Sequence, residues 1–238
     1  MTPVHFPTSL SSENFDSSTN IPSCASPAKT HILYKFIDRI IYINLARRED
    51  RKSHIESQLS SYGISEYERF DAFDRPGQGI VGCGYSHLAV LKLARERKYR
   101  NVLIFEDDFR FVVSPAEFKF QLTQFFESSI ADNYDVCMLG YNLRESTECP
   151  EHPFLTRVQY AQTASAYLVN ARYYDALIEL YEWAIPLLEK TGQHWVYAND
   201  VVWKDLQMSD KWYCFTERIG RQLNGFSDNA GRYIEYNC

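Results

Sequence analysis

The sequence predicts a single-domain α/β fold with a Rossmann-type, mostly parallel sheet flanked by helices. Apolar runs rich in β-branched and aromatic residues alternate with amphipathic segments in the order β-α-β-α-β over the first half of the chain. That order is typical of parallel strands joined by right-handed crossovers. The chain has 238 residues, of which 45% are hydrophobic and 24% are charged. This length and composition suit one substantial core in a globular protein.

The first half contains the clearest elements. Isoleucine and tyrosine dominate residues 39–45, which predicts a strand. Ile55, Leu59 and Tyr62 share one helical face, and Gly63 is the expected end of that helix. The predicted order is a strand at 39–45, a helix at 50–62, a strand at 68–73, a glycine-rich passage at 77–84, a helix from about 85 to 98 and a buried strand at 102–105.

The second half is mixed, and a long helix is its firmest element, beginning after the N-cap Asn170 and ending near Lys190. Around it we predict a helix at 115–130, strands at 134–139, 155–160, 164–169 and 212–216, a polar loop at 142–154 and a short helix at 200–207. Residues 1–30 are rich in Ser, Thr, Pro and Asn and are expected to form a disordered tail before a domain at 31–238.

The most informative stretch is the acidic triplet Glu106-Asp107-Asp108, directly after the apolar run 102–105. Ligands of open α/β sheets bind beyond the carboxyl ends of such strands. Three adjacent acids repel one another there unless a cation neutralises them, and a divalent ion that holds a diphosphate is the usual reason for that arrangement. The alternative is an acidic turn that caps the next helix and faces water.

A second cluster follows the first predicted strand, where Arg47, Arg48 and Arg51 lie within five residues. Guanidinium groups and free backbone N–H groups at a helix start form an anion site. The alternative is a solvated helix start with local ion pairs. Ser86 and His87 are expected to open the next helix, where they would cap it or touch a ligand, and the glycines before them do not form a dinucleotide-binding fingerprint.

Composition excludes several classes of function. The net charge of −6 argues against bulk binding to nucleic acid. No stretch approaches the ~20 apolar residues of a membrane span, and no secretory signal is evident, so we expect a cytoplasmic protein. The six cysteines are scattered without CxxC spacing, which indicates free thiols in a reducing compartment and predicts no zinc site.

Taken in order, the segments INLARREDR, GIVGCGYSHLAVLKLA and VLIFEDDFRF resemble the three signature blocks of glycosyltransferase family 25. That family includes bacterial lipooligosaccharide galactosyltransferases and collagen galactosyltransferases. Segments 163–169, 198–201 and 222–228 also fit, so the resemblance covers roughly residues 38–230. Two departures lie near the second block. The family often has Gly-Glu-x-Gly-Cys where this chain has Gly79-Ile80-Val81-Gly82-Cys83, so the acid is missing, and the passage from 73 to 82 is short.

The resemblance implies a GT-A-like fold, a UDP-sugar donor, Mn²⁺ or Mg²⁺ as cofactor, and inversion at the anomeric carbon. It implies a glycan or hydroxylated peptide as acceptor and a role in lipopolysaccharide or other glycan biosynthesis. Glu106 and Asp108 correspond to the outer metal-binding acids, with Asp108 also at the reaction centre. The residues that match donor-side positions are Asn44, Arg47, Arg48, Arg51, Ser86, His87 and Asp107.

An inverting transfer also needs a base that accepts the proton of the acceptor hydroxyl. Asp200 is the candidate, since it follows an aromatic segment and opens a helix; the alternative is a simple N-cap. His194 and Asp228 are weaker candidates, and Trp195 and Tyr197 could stack on sugar. Two other functions remain open. One is a sugar nucleotidyltransferase, which would also use acidic residues and a metal ion to hold a diphosphate. The other is a catalytically silent module that binds nucleotide sugars.

Overall fold

The computed structural model describes residues 35–227 and 232–235. Its strands are β1 (Arg39–Asn44), β2 (Glu68–Asp71), β3 (Asn101–Glu106), β4 (Phe109–Phe111), β5 (Val136–Glu148), β6 (Leu155–Asn170), β7 (Trp212–Phe215), β8 (Gly220–Gln222), β9 (Gly225–Ser227) and β10 (Arg232–Ile234). The first eight form one sheet in the order β2-β1-β3-β6-β7-β5-β8-β4, and β9 pairs with β10. Strands β4 and β6 run opposite to the rest of the large sheet, so the predicted mostly parallel sheet is confirmed.

Helices cover both faces of the sheet. They are α1 (Glu49–Ser61), α2 (Gly79–Glu96), α3 (Pro115–Glu127), α4 (Tyr174–Thr191), α5 (His194–Tyr197), α6 (Asn199–Val202) and α7 (Lys204–Ser209). Successive residues of β3 point to opposite faces, as a pleated strand requires. Ile104 belongs to the core under α2 and α4, whereas Phe105 belongs to the core under α1 and α3.

Local sequence signals explain several helix ends. The Ser114 side chain accepts a hydrogen bond from the Glu117 N–H at the start of α3. Gly63 has a φ of 69° just beyond α1, and the Asn170 side chain caps the 3₁₀ turn that leads into α4. The expected end of α1 and the expected cap at Asn170 are therefore both observed. In the part of the chain described, no helix is long and apolar enough to cross a membrane.

Two expectations about the elements were wrong. The predicted loop at 142–154 is strand as far as Glu148, because β5 continues there and forms a long antiparallel ribbon with β6, in which Asn142 pairs with Gln162. The strands predicted at 155–160 and 164–169 are strand, but they are one continuous strand, β6. The exposed residues of the ribbon are polar, so the sequence carries no apolar run there. The predicted tail at 1–30 lies outside the described residues.

Helix α2 begins at Gly79 rather than near residue 85, so the glycine-rich passage is its first turns. The glycines serve close packing. A Cβ on Gly82 would lie 2.3 Å from the Phe73 carbonyl oxygen, and one on Gly84 would lie 3.1 Å from the Ile185 side chain. Ser86 and His87 therefore lie in the body of α2 and do not cap it.

Candidate functional site

A cleft opens at the carboxyl ends of β1 and β3, where the sequence placed the ligand. Its walls are the acidic triplet, the end of β1 with the turn that follows, the segment 72–79 and the start of α2. Gln222 from β8 completes the lining. Parallel strands bring their carboxyl ends to one edge of a sheet, and this is why residues 44 and 106–108 meet.

Asp107 and Asp108 share one guanidinium group. Arg51 Nη1 donates to Asp107 Oδ1 at 3.1 Å and to Asp108 Oδ2 at 3.0 Å. Asn44 Nδ2 donates to Asp107 Oδ2 at 2.7 Å, and Gln222 Nε2 donates to Asp108 Oδ2 at 3.1 Å. Asp107 and Asp108 are only 7% and 5% exposed, so the alternative of an acidic turn facing water is wrong.

One oxygen of Asp108 stands apart. Oδ1 is buried and has no hydrogen-bond partner among the described residues. Burial, with the nearby charge of Glu106, raises the pKa of Asp108 to about 7 although Arg51 opposes the shift. Burial also raises the pKa of Asp107. The raised pKa values and the unpaired oxygen show that the surroundings of these two acids do not supply enough positive charge. A divalent cation bound there would supply it.

Glu106 is held from the opposite side. His87 Nε2 lies 3.0 Å from Glu106 Oε1, and Cys83 Sγ donates to the same oxygen at 3.4 Å. The other ring nitrogen of His87 lies 2.8 Å from the Tyr167 hydroxyl oxygen. Burial raises the pKa of Glu106, but the bonds from His87 and Cys83 outweigh it, and the net shift is downward.

The remaining donor-side residues fall into different environments. Arg47 lies on the cleft wall and pairs with Asp74 at 2.9 Å, whereas Arg48 pairs with Asp50 at 2.8 Å outside the lining. Among the contacts above, Arg51 is the arginine that reaches the acidic triplet, and Arg47 lines the same cleft. Ser86 lies on the wall, where its hydroxyl donates to the Gly82 carbonyl and accepts from the Phe73 N–H.

Asp200 lies in the first turn of α6, whose N-cap is Ala198, so the alternative of a simple N-cap is wrong; its Oδ2 accepts from the Thr163 N–H at 3.1 Å. Thr163 has a φ of 81°, which is a strained conformation for a β-branched residue. Burial raises the pKa of Asp200, and the charge of Glu106 adds to the shift, so the two carboxylates are electrostatic neighbours. His194 lies in α5 next to the exposed ring of Trp195, and Asp228 lies outside the described residues.

Sequence reasoning missed Cys83, Tyr167 and Gln222. Cys83 could have been found from its i, i+4 spacing to His87 if the helix had been predicted from Gly79. Tyr167 and Gln222 lie on distant strands, 80 residues from His87 and 114 residues from Asp108, respectively. Both stand inside segments that fit the resemblance, 163–169 and 222–228, but the resemblance gave neither residue a role.

The donor set at the triplet fits a hard divalent cation. Carboxylate oxygens are the ligands that Mg²⁺ and Mn²⁺ prefer, and the orphan Oδ1 of Asp108 offers one such ligand inside a buried site. Glu106 adds a second carboxylate, which is close enough for its charge to raise the pKa of Asp108. The residues present therefore fit the cofactor that the resemblance implied.

No protein-family model matches the chain. A glycosyltransferase-like protein of Acanthamoeba polyphaga mimivirus is 34% identical over 94 residues, which cover 31% of this chain and 29% of that protein. The chain is thus similar to less than a third of this curated relative.

Solved structures are similar at lower identity. A glycosyltransferase involved in the glycosylation of the major capsid of PBCV-1 is 11% identical, with a TM-score of 0.46 over 81% of this chain and 95% of that one. The galactosyltransferase LgtC, solved with donor and acceptor sugar analogues, is 14% identical, with a TM-score of 0.41 over 73% of this chain and 72% of that one.

Proposed function

We propose that this chain is a metal-dependent, inverting glycosyltransferase of family 25. It would move a hexose, galactose or glucose, from a UDP-sugar to a hydroxyl group of a glycan or a hydroxylated peptide. The observation that carries the proposal is the buried acidic triplet beside Arg51 and Asn44 at the carboxyl edge of β1 and β3. The partial similarity to the mimivirus protein supports the same class.

Glu106 and Asp108 are the residues that would hold Mn²⁺ or Mg²⁺. The bound cation would neutralise the charge that builds up on the departing diphosphate. Arg51 and Asn44 fix Asp107 between these two acids, which keeps the triplet in one geometry. A fixed first set of ligands lowers the cost of reorganisation during transfer.

Arg47 is the arginine best placed for a donor phosphate, because it lines the cleft and is half exposed. Its contact with Asp74 is an exposed pair, and a donor phosphate in the cleft would offer the guanidinium a charged partner that it can bind through two N–H groups. Arg48 would add positive charge near the cleft. Ser86 and His87 would support the donor site through other residues. Ser86 holds the cleft wall by its hydrogen bond with the Phe73 N–H, and His87 holds Glu106.

Asp200 is the proposed base. Its carboxylate would take the proton of the acceptor hydroxyl while that oxygen bonds to the anomeric carbon. The bond from this carbon to the phosphate oxygen breaks, and UDP leaves with the electron pair. A raised pKa makes a carboxylate a stronger base, and burial gives Asp200 that shift.

Asp108→Asn tests the proposal. The change keeps the size of the side chain but removes the charge that the cation needs, so release of UDP from UDP-galactose or UDP-glucose should fall by at least ~10²-fold in Mn²⁺-replete buffer. Asp175→Asn is the control, because Asp175 is an exposed acid that pairs with Arg95 on the surface. Unchanged turnover in Asp108→Asn would overturn the metal role.

The products separate the other two functions. Release of pyrophosphate from UTP and a sugar 1-phosphate, without release of UDP from UDP-sugars, would show a nucleotidyltransferase. Binding of UDP-sugars with Mn²⁺, measured by thermal shift, without turnover over a broad acceptor panel would show a silent binding module.

Asp200→Asn tests the proposed base. This change should lower kcat for transfer far more than it lowers the affinity for the donor, and a variant with full kcat would exclude Asp200 as the base.

A further inference from the structure

Beside the acid pair, the cleft holds a second group of potential metal ligands with different chemistry. One ligand atom from each of Cys83, His87 and Glu106 lies within 4.8 Å of the others. Cys83 and His87 are four residues apart on α2, so both side chains leave the same face of the helix. Glu106 approaches that face from the end of β3.

Although cysteine spacing alone predicted no zinc site, we infer that Cys83, His87 and Glu106 form a binding site for one ion of the zinc class, such as Zn²⁺ or Co²⁺. A thiolate, an imidazole nitrogen and a carboxylate oxygen are the three ligand types that zinc takes in proteins. The all-oxygen pair of Glu106 and Asp108 instead suits Mn²⁺ or Mg²⁺. The two sites would select different metals, because only the site of Cys83, His87 and Glu106 contains sulfur and nitrogen ligands.

The surroundings of His87 match those of a metal-binding histidine. Such a histidine uses one ring nitrogen for the metal and the other for a hydrogen bond that fixes the ring. His87 Nε2 faces Glu106, and Nδ1 lies 2.8 Å from the Tyr167 hydroxyl. The ring is fully buried and stacks on Tyr167 with centroids 5.7 Å apart.

The site has an open position. Cys83 and Glu106 both line the cleft, so an ion can enter from it and keep water as a fourth ligand. Binding of the ion would release the thiol proton of Cys83 to solvent. His87 would bind the ion through Nε2 and keep its one proton on Nδ1, which would donate a hydrogen bond to the Tyr167 oxygen.

Glu106 belongs to both sites, so the two metals compete for it. This consequence rests on the proposed function: occupancy by Zn²⁺ would withdraw Glu106 from the acid pair and inhibit transfer. Binding at the thiol site itself does not depend on the reaction.

The test is the absorption spectrum of the full chain titrated with Co²⁺ alone. A bond from thiolate to Co²⁺ gives a charge-transfer band in the near ultraviolet, which the acid pair cannot give. We expect this band in the unmodified protein with a stoichiometry of one ion. Cys83→Ser should abolish it, because the hydroxyl is nearly the same size but gives no such band, and Glu106→Gln should weaken Co²⁺ binding by 10-fold or more.

Two controls locate the site. Cys149→Ser removes another partly exposed thiol and should leave the band unchanged, as should Asp108→Asn, which removes only the acid pair. Absence of the band in the unmodified protein, its persistence in Cys83→Ser or its loss in Cys149→Ser would each overturn the inference. Because no readout uses turnover, failure here is distinct from failure of the proposed transferase.

Discussion

The two sides of the acidic triplet differ in how the negative charge of their buried carboxylates is compensated. Asp107 and Asp108 share the single guanidinium of Arg51, whereas Glu106 has a histidine and a cysteine to itself. Burial raises the pKa of Asp108 to about 7 despite Arg51, but the net pKa shift of Glu106 is downward. One cation divided between two buried acids compensates neither fully. The remaining deficit of positive charge lies where the proposed Mn²⁺ or Mg²⁺ would bind.

The largest effect should come from removing Arg51, whose guanidinium group is shared by Asp107 and Asp108. Arg51→Ala leaves two buried carboxylates without their positive partner, so the free energy of unfolding should fall by about 3 kcal/mol at pH 8. The loss should be smaller at pH 5, because the two acids can then take up protons. Urea denaturation in the presence of a chelator measures both values.

Arg47→Ala is the matched control from the same turn. Its partner Asp74 is exposed, with 44% of the side chain accessible, so removal should cost less than about 1 kcal/mol. Equal losses for the two variants would show that Arg51 does not carry the charge balance of the triplet.

A second effect should appear as a pH dependence of stability. The folded pKa of Asp108 is about 7 and its ordinary value is 3.8, so the folded protein binds this proton more tightly than the unfolded chain does. The resulting stabilisation is fully present below pH 3.8 and is lost as the pH rises to about 7. Asp108→Asn lacks this loss.

In metal-free buffer, the free energy of unfolding of Asp108→Asn relative to the unmodified protein should therefore rise between pH 5 and pH 7. Urea denaturation at the two pH values measures it. Addition of Mn²⁺ should favour the unmodified protein again, because only the ionised carboxylate binds the cation. Asp108→Asn would therefore be more stable than the unmodified protein without metal and yet inactive. A stability difference between the two proteins that does not change with pH would contradict the raised pKa of Asp108.

The parts of the fold that could be predicted are those whose signals are local. The run 102–105, the helix face of Ile55 and Leu59, and the cap at Asn170 each carry their own pattern, and each element was found where expected. The ribbon of β5 and β6 was missed because its outer half is polar and its pairing is non-local. The start of α2 was missed because glycine disfavours helices unless close packing requires it, as at Gly82.

The candidate site divides in the same way. Strand-end reasoning predicted that the arginine segment and the acidic triplet share one cleft, and the resemblance added Asn44; Asn44, Arg51 and the triplet all line that cleft. Strand-end reasoning could not separate Arg51 from Arg47 and Arg48, since the direction of each side chain depends on tertiary contacts. The support under Glu106 was also hidden, because Tyr167 reaches His87 from a strand whose partners the sequence does not reveal.

The smallest effect concerns that support. Tyr167→Phe removes only the hydroxyl at His87 Nδ1, and the loss of one buried hydrogen bond should lower the free energy of unfolding by about 1 kcal/mol. Tyr174→Phe is the control, since the Tyr174 hydroxyl is buried without a partner among the described residues, and its removal should cost nothing or stabilise the fold. Thermal or urea denaturation of both variants decides the point. If the two changes cost the same, the Tyr167 hydroxyl contributes nothing to holding His87, and Glu106 is positioned by α2 alone.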